Sequence, residues 1–88
     1  MNIEEAIRRA DQRMKNGISR ETKITWLTKL QEACDRERGS IVPLTADVAE
    51  AYLVMRYALE DGNLSRYITW AKIFNNRVTD FIIRGARA

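Results

Sequence analysis

Histidine is missing from this chain altogether, which removes the commonest general base, nucleophile partner and transition-metal ligand at once. A single cysteine, Cys34, forbids an internal disulfide and agrees with a reducing compartment. Its helical spacing from Ile24, Leu27 and Leu30 is that of an inert core thiol. Gly17, Gly39, Gly62 and Gly85 each follow a helical stretch, so no glycine-rich phosphate cradle exists. The longest apolar run, Ala51 to Met55, is far short of the ~20 residues of a membrane helix, and no membrane association is expected. The acid pairs Glu4-Glu5 and Glu60-Asp61 fall at helix ends, where capping and solvent account for them. These absences predict a protein that is not an enzyme and carries no catalytic residue, cofactor or metal.

What is present is ordinary for a globular chain: 88 residues, 45% hydrophobic and 31% charged. That length holds one core, so residues 1–88 are read as a single domain. Fifteen Lys and Arg against 12 Asp and Glu leave +3, compatible with a nucleic acid nearby without demanding one. The beginning MNIEEAIRR is acidic and amphipathic where a signal peptide is basic and then apolar, so a cytoplasmic protein, or one packaged from a cytoplasm, is expected.

Helical periodicity runs through the whole chain and predicts an all-α fold of four helices, at about 3–15, 20–38, 46–61 and 64–84. Asn2, Ser19, Thr45 and Asn63 are the N-caps, and Gly17, Gly39, Gly62 and Gly85 the stops. Ser40 to Leu44 is an extended connector, with Val42 pushed out of helical geometry by Pro43. The first helix has a narrow apolar face of Ile3, Ala6, Ile7, Ala10 and Met14 and belongs on the outside. The third has apolar residues in nearly every direction and should be surrounded by protein. On the fourth, Leu64, Tyr67, Ile68, Trp70, Ala71, Phe74, Val78, Phe81 and Ile82 form an inward stripe about 160° wide.

Three features exceed the needs of a plain bundle. Arg66, Arg77 and Arg84 line up on one face of the fourth helix, and from Asn63 onward five cations, Arg87 included, face only Asp80. This is either a solvated helix face or a contact for phosphates or an acidic protein. Arg56 lies on the otherwise apolar third helix and needs a partner, which a core salt bridge or an intersubunit pair would equally provide. Trp26, Ile73 and Ile83 sit at the margins of their stripes and favour an oligomer slightly.

The stretches IEEAIRRADQRMKNGISRETKITWLTKL and VPLTADVAEAYLVMRYALEDGNLSRYITWAKIFNNRVTDF resemble a known family. Lys23-Ile24-Thr25-Trp26-Leu27 is similar to that family's KIRWL, followed by Val42-Pro43 before the third helix and the block from Asp61-Gly62-Asn63 through Arg66-Tyr67 to Phe74-Asn75. The family is the small helical head-tail connector, adaptor or head-completion proteins of tailed bacteriophages and prophages. The segment ahead of Val42-Pro43 is shorter here than in many members.

The resemblance implies a structural virion protein with no catalytic residues. It would assemble in the host bacterial cytoplasm as a homo-oligomeric ring in the head-tail neck, matching the portal, with twelve copies expected. Its partners would be the portal protein, a downstream tail or stopper protein, and double-stranded DNA passing without sequence readout. Arg66, Arg77, Arg84 and Arg87 would then face a partner or the channel DNA, and Trp26, Arg56 and Trp70 would fix the fold or the subunit seam. A nucleic-acid-binding regulator with a helix-turn-helix formed by helices two and three is the alternative, although a seven-residue connector from Gly39 to Thr45 is long for that motif. A partner in a one-to-one complex, as in toxin-antitoxin pairs, is a third.

Overall fold

Four side-chain caps set the start of each helix. In the computed structural model, which describes residues 2–39 and 42–87 and leaves aside the side chains of residues 38, 86 and 87, the helices are α1 (Ile3–Arg13), α2 (Arg20–Arg38), α3 (Ala46–Glu60) and α4 (Leu64–Arg87). Asn2, Ser19, Thr45 and Asn63 each accept the backbone N–H three residues on, at 3.1 to 3.3 Å. Such a bond satisfies one of the donors a helix leaves open at its first turn. The all-α four-helix architecture is as expected, and no strand occurs among the described residues.

Three predicted ends move, that of α3 by a single residue, to Glu60. α1 stops at Arg13, before the expected residue 15, because Met14 turns to extended geometry while its N–H still bonds the Ala10 carbonyl at 3.0 Å. This early exit lets both Met14 and Ile18 pack on the core, with the Ile18 N–H bonded to Asn16 Oδ1 between them. α4 runs through Gly85 to Arg87, past the expected stop at residue 84. Glycine in a helix costs roughly 1 kcal/mol but does not forbid it, and buried Phe81 holds the preceding turn in place. Residues 40 and 41 of the predicted connector, and the Arg87 side chain, lie outside the described residues.

α3 is the central element, packed against α1, α2 and α4, with Val48, Ala49, Ala51, Leu53, Val54, Tyr57 and Ala58 buried. At its C-terminus Gly62, with φ of +71°, donates to the Leu59 carbonyl, and the Asn63 N–H donates to that of Ala58. Only glycine takes this left-handed turn without strain. Because Asn63 also caps α4, α3 and α4 form a tight helical hairpin.

The core has two parts. Ala6, Ile7, Ala10, Leu27, Leu53, Val54, Tyr57 and Trp70 join α1 to the middle of the bundle. Cys34, Leu44, Val48 and Phe81 close the other end, which places Cys34 among core residues. Gln31 fixes the connector there, donating to the Val42 carbonyl at 2.8 Å and accepting from the Leu44 N–H at 2.9 Å. Leu44 is thereby held inward and buried.

Candidate partner-binding surface

The arginine row of α4 is built into a larger arrangement that the sequence did not show. Its centre is Glu50 of α3, only 2% exposed. Glu50 Oε1 accepts from Arg9 Nη2 and from Arg77 Nη1, both at 3.0 Å, and Oε2 accepts from Arg13 Nε at 3.4 Å. A buried carboxylate demands such partners, since an unpaired charge there is prohibitively costly. Arg77 also donates to the Asp47 carbonyl at 2.8 Å, and Arg9 to Asp47 Oδ1 at 2.6 Å. The Arg9 hydrogen bond holds the Asp47 carboxyl below its usual range.

Arg77 is therefore a tie between α3 and α4. Arg84 pairs with Asp80 one turn earlier, at 3.0 Å, an exposed contact of small energetic value. Arg66 leans across to the Arg13 carbonyl at 3.5 Å and is otherwise open. With Arg9 and Arg13 from α1, these form a cationic belt along the α1–α4 seam: five arginines against Glu50, Asp47 and Asp80. The belt's signal in the sequence was Glu50 itself, a carboxylate on a helix apolar all round.

Arg56 finds no carboxylate among the described residues. Its guanidinium stacks over Trp26, 4.4 Å from the ring centroid, and lies 5.9 Å from the Tyr52 ring. Nη1 donates to the Tyr52 hydroxyl at 3.2 Å, and the buried Nε has no acceptor. The core salt bridge considered for Arg56 is thus absent, replaced by cation–π stacking. Trp26 is half-buried and packs at a tilt on Tyr57, 6.4 Å between centroids. Trp70 lies in the core, with Arg13 and Arg77 over its ring at 5.4 and 5.8 Å.

A second polar tie crosses α1, α2 and α3. Asp11 accepts from the Tyr57 hydroxyl at 2.7 Å and from Lys23 Nζ at 3.0 Å. Burial, and then the bond to Asp11, push the Tyr57 phenol well above its ordinary range.

The apolar stripe of α4 is only partly covered. Trp70, Phe74, Val78 and Phe81 face the bundle, whereas Leu64 is 64% and Ile68 54% exposed, with Ile82 and Ile83 also in water. The predicted stripe was therefore too wide by Leu64, Ile68 and Ile82. Ile73 and Trp26, expected at exposed margins, are half-buried. Leu59, at the end of α3, adds to the open surface. Such exposed aliphatics are what a contact between subunits would cover.

Among the described residues no helix is long and apolar enough to cross a membrane. In α3, the recognition helix of the helix-turn-helix alternative, Val48 to Ala51, Leu53 and Val54 are buried, so those side chains face protein and not a DNA groove. The chain matches no model of a known protein family, no curated protein and no solved structure.

Proposed function

We infer that this chain is a structural subunit of the head-tail neck of a tailed phage or phage-derived particle. Copies assemble in the bacterial host as a ring, twelve around the portal, that joins portal to tail and carries the DNA channel onward. The reading is supported first by one observation: α4 and the end of α3 leave Leu59, Leu64, Ile68, Ile82 and Ile83 in water on a chain of only 88 residues. The stacked guanidinium of Arg56, bonded to the Tyr52 hydroxyl but to no carboxylate among the described residues, fits a seam where a neighbouring subunit supplies one. The cationic α1–α4 belt fits a surface that passes DNA without reading it, and the resemblance to connector proteins supplies the biological setting. The role proposed is mechanical.

The test is assembly. Native mass by light scattering is measured for the chain alone and mixed with the portal protein encoded in the same gene cluster, for the wild type and for Leu64→Glu with Ile68→Glu. Ring-sized complexes on the portal, lost in the double variant while its helical circular dichroism is retained, are expected. A wild-type chain that stays monomeric and leaves portal particles unchanged in mass would falsify the proposal.

A further inference from the structure

Where the end of α1 meets the beginning of α4 there is a cleft of about 410 Å³ lined by Arg13, Asn63, Ser65, Arg66, Thr69 and Trp70. Two of these six are cations, three are hydroxyl or amide side chains, and none is an acid. The Thr69 hydroxyl is spent on the Ser65 carbonyl at 3.1 Å, but the two guanidiniums and the Asn63 amide keep donors open. Arg13 gives only its Nε to Glu50, at 3.4 Å, so both terminal nitrogens keep their bonding capacity while Trp70 supports the guanidinium from one side. Arg66 uses Nη1 for a long bond to the Arg13 carbonyl, which holds it against α1 and leaves Nη2 and Nε unspent. Asn63 has committed its oxygen as the cap of α4, so its amide hydrogens are what it has left to offer.

A second cleft, between the start of α3 and the end of α4, shows the contrast. There Asp47 and Asp80 stand beside Arg77 and Arg84, and the cations are already answered within the chain. At the first cleft the chain answers neither guanidinium with a carboxylate, apart from the single Nε bond to Glu50. Guanidinium forks match a tetrahedral oxyanion by paired N–H bonds, and the space admits such a group with its water.

We propose that this Arg13–Arg66 cleft binds a phosphate group. The backbone of duplex DNA as the source of that phosphate rests on the channel reading above; the chemistry of the cleft does not. The cleft takes one phosphodiester at a time through its two arginines, without base contact, so that the bound strand can move on.

The experiment uses the full isotope-labelled chain and reads amide shifts at constant ionic strength. Three probes are compared: inorganic phosphate against chloride, a random-sequence 20-base-pair duplex, and polyglutamate. Phosphate and duplex should shift residues 13 and 63–70 in wild type and fail to do so in Arg66→Gln and in Thr69→Glu, which places an acid at the rim of the cleft. Duplex affinity, on the order of 10⁻⁴ M at low salt, should fall several-fold in each variant, and its log–log salt slope should drop by about 1 in Arg66→Gln. Lys29→Gln, on exposed α2, should change little. Shifts with phosphate but none with the duplex would keep the site and assign it to a free anion. Polyglutamate matching the duplex, or no shift with any phosphate, overturns the proposal. A chain that takes phosphate here yet never assembles on a portal sinks the ring alone, and a ring whose cleft ignores phosphate sinks the site alone.

Discussion

Glu50→Gln removes one negative charge and changes almost no volume, so it isolates what the buried carboxylate does. In the folded chain three guanidiniums converge on it, two at 3.0 Å and one at 3.4 Å. Removing one member of a fully buried pair costs about 3–5 kcal/mol, because the other is stranded. Here the stranded groups are not fully buried: the side chains of Arg9, Arg13 and Arg77 are 29%, 54% and 30% exposed. They can turn toward water, and the amide oxygen of glutamine still accepts one bond. A loss of about 2 kcal/mol is therefore expected. For a chain of this size that is a large part of a total of about 5–10 kcal/mol.

Urea unfolding followed by far-ultraviolet circular dichroism reads this directly. With a denaturant slope of about 1 kcal/mol/M, the midpoint should fall by about 2 M. Glu5→Gln serves as the control, since Glu5 pairs with Arg8 in a solvent-screened contact in the first turn of α1 and its loss should move the midpoint by well under ~1 M. A double-mutant cycle with Arg77→Gln should return a coupling of about 1 kcal/mol, as expected of residues in one network. A midpoint change under ~0.5 M in Glu50→Gln, or additive single losses, would show that the three arginines merely crowd the carboxylate without needing it.

Two further tests address other parts of the fold. The Tyr57 phenol is raised by burial and by Asp11, so above pH ~10 the unfolded chain releases this proton while the folded chain keeps it, and stability falls by up to ~1.4 kcal/mol per pH unit from that group. Tyr57→Phe should lose less stability between pH 10 and pH 11.5 than wild type, each referred to its own value at pH 8; parallel slopes would remove Tyr57 from the explanation. Gly85 lies inside α4, so Gly85→Ala should stabilise by about 0.5 kcal/mol in the same urea assay, whereas a glycine that ended the helix in left-handed geometry would make alanine unfavourable.

What could be read from the chain alone was whatever a few neighbouring residues decide. The caps Asn2, Ser19, Thr45 and Asn63 act on an N–H only three positions away, and all four do so in the structure. The boundaries of α2 follow from Ser19 and Gly39 in the same way. Burial of α3 was visible because its apolar residues left no polar side. The end of α1 was not, since Met14 leaves the helix for contacts that Met14 and Ile18 make with the core. Nor was the fate of Leu64 and Ile68: a helical wheel gives the width of an apolar stripe but not how much of it three other helices can cover. Glu50 shows the same boundary from the polar side, as its partners lie 27 to 41 residues away in the chain.

That separation changes how the basic row can be used. Arg66, Arg77 and Arg84 share a face by periodicity, yet they are energetically unlike. Arg77 is held by Glu50 and by the Asp47 carbonyl, so reversing its charge would set two carboxylates against each other in a buried site and unfold the hairpin before any partner was lost. Arg84 is exposed and tied only to Asp80, and Arg66 only to a carbonyl at the limit of bonding distance. The inner arginines of the belt therefore serve the fold, and cationic surface is available to an outside anion mainly at its ends. A charge reversal confined to Arg66 and Arg84 leaves Glu50 satisfied, and so any loss of assembly or DNA retention it causes reports on a partner and not on a broken bundle.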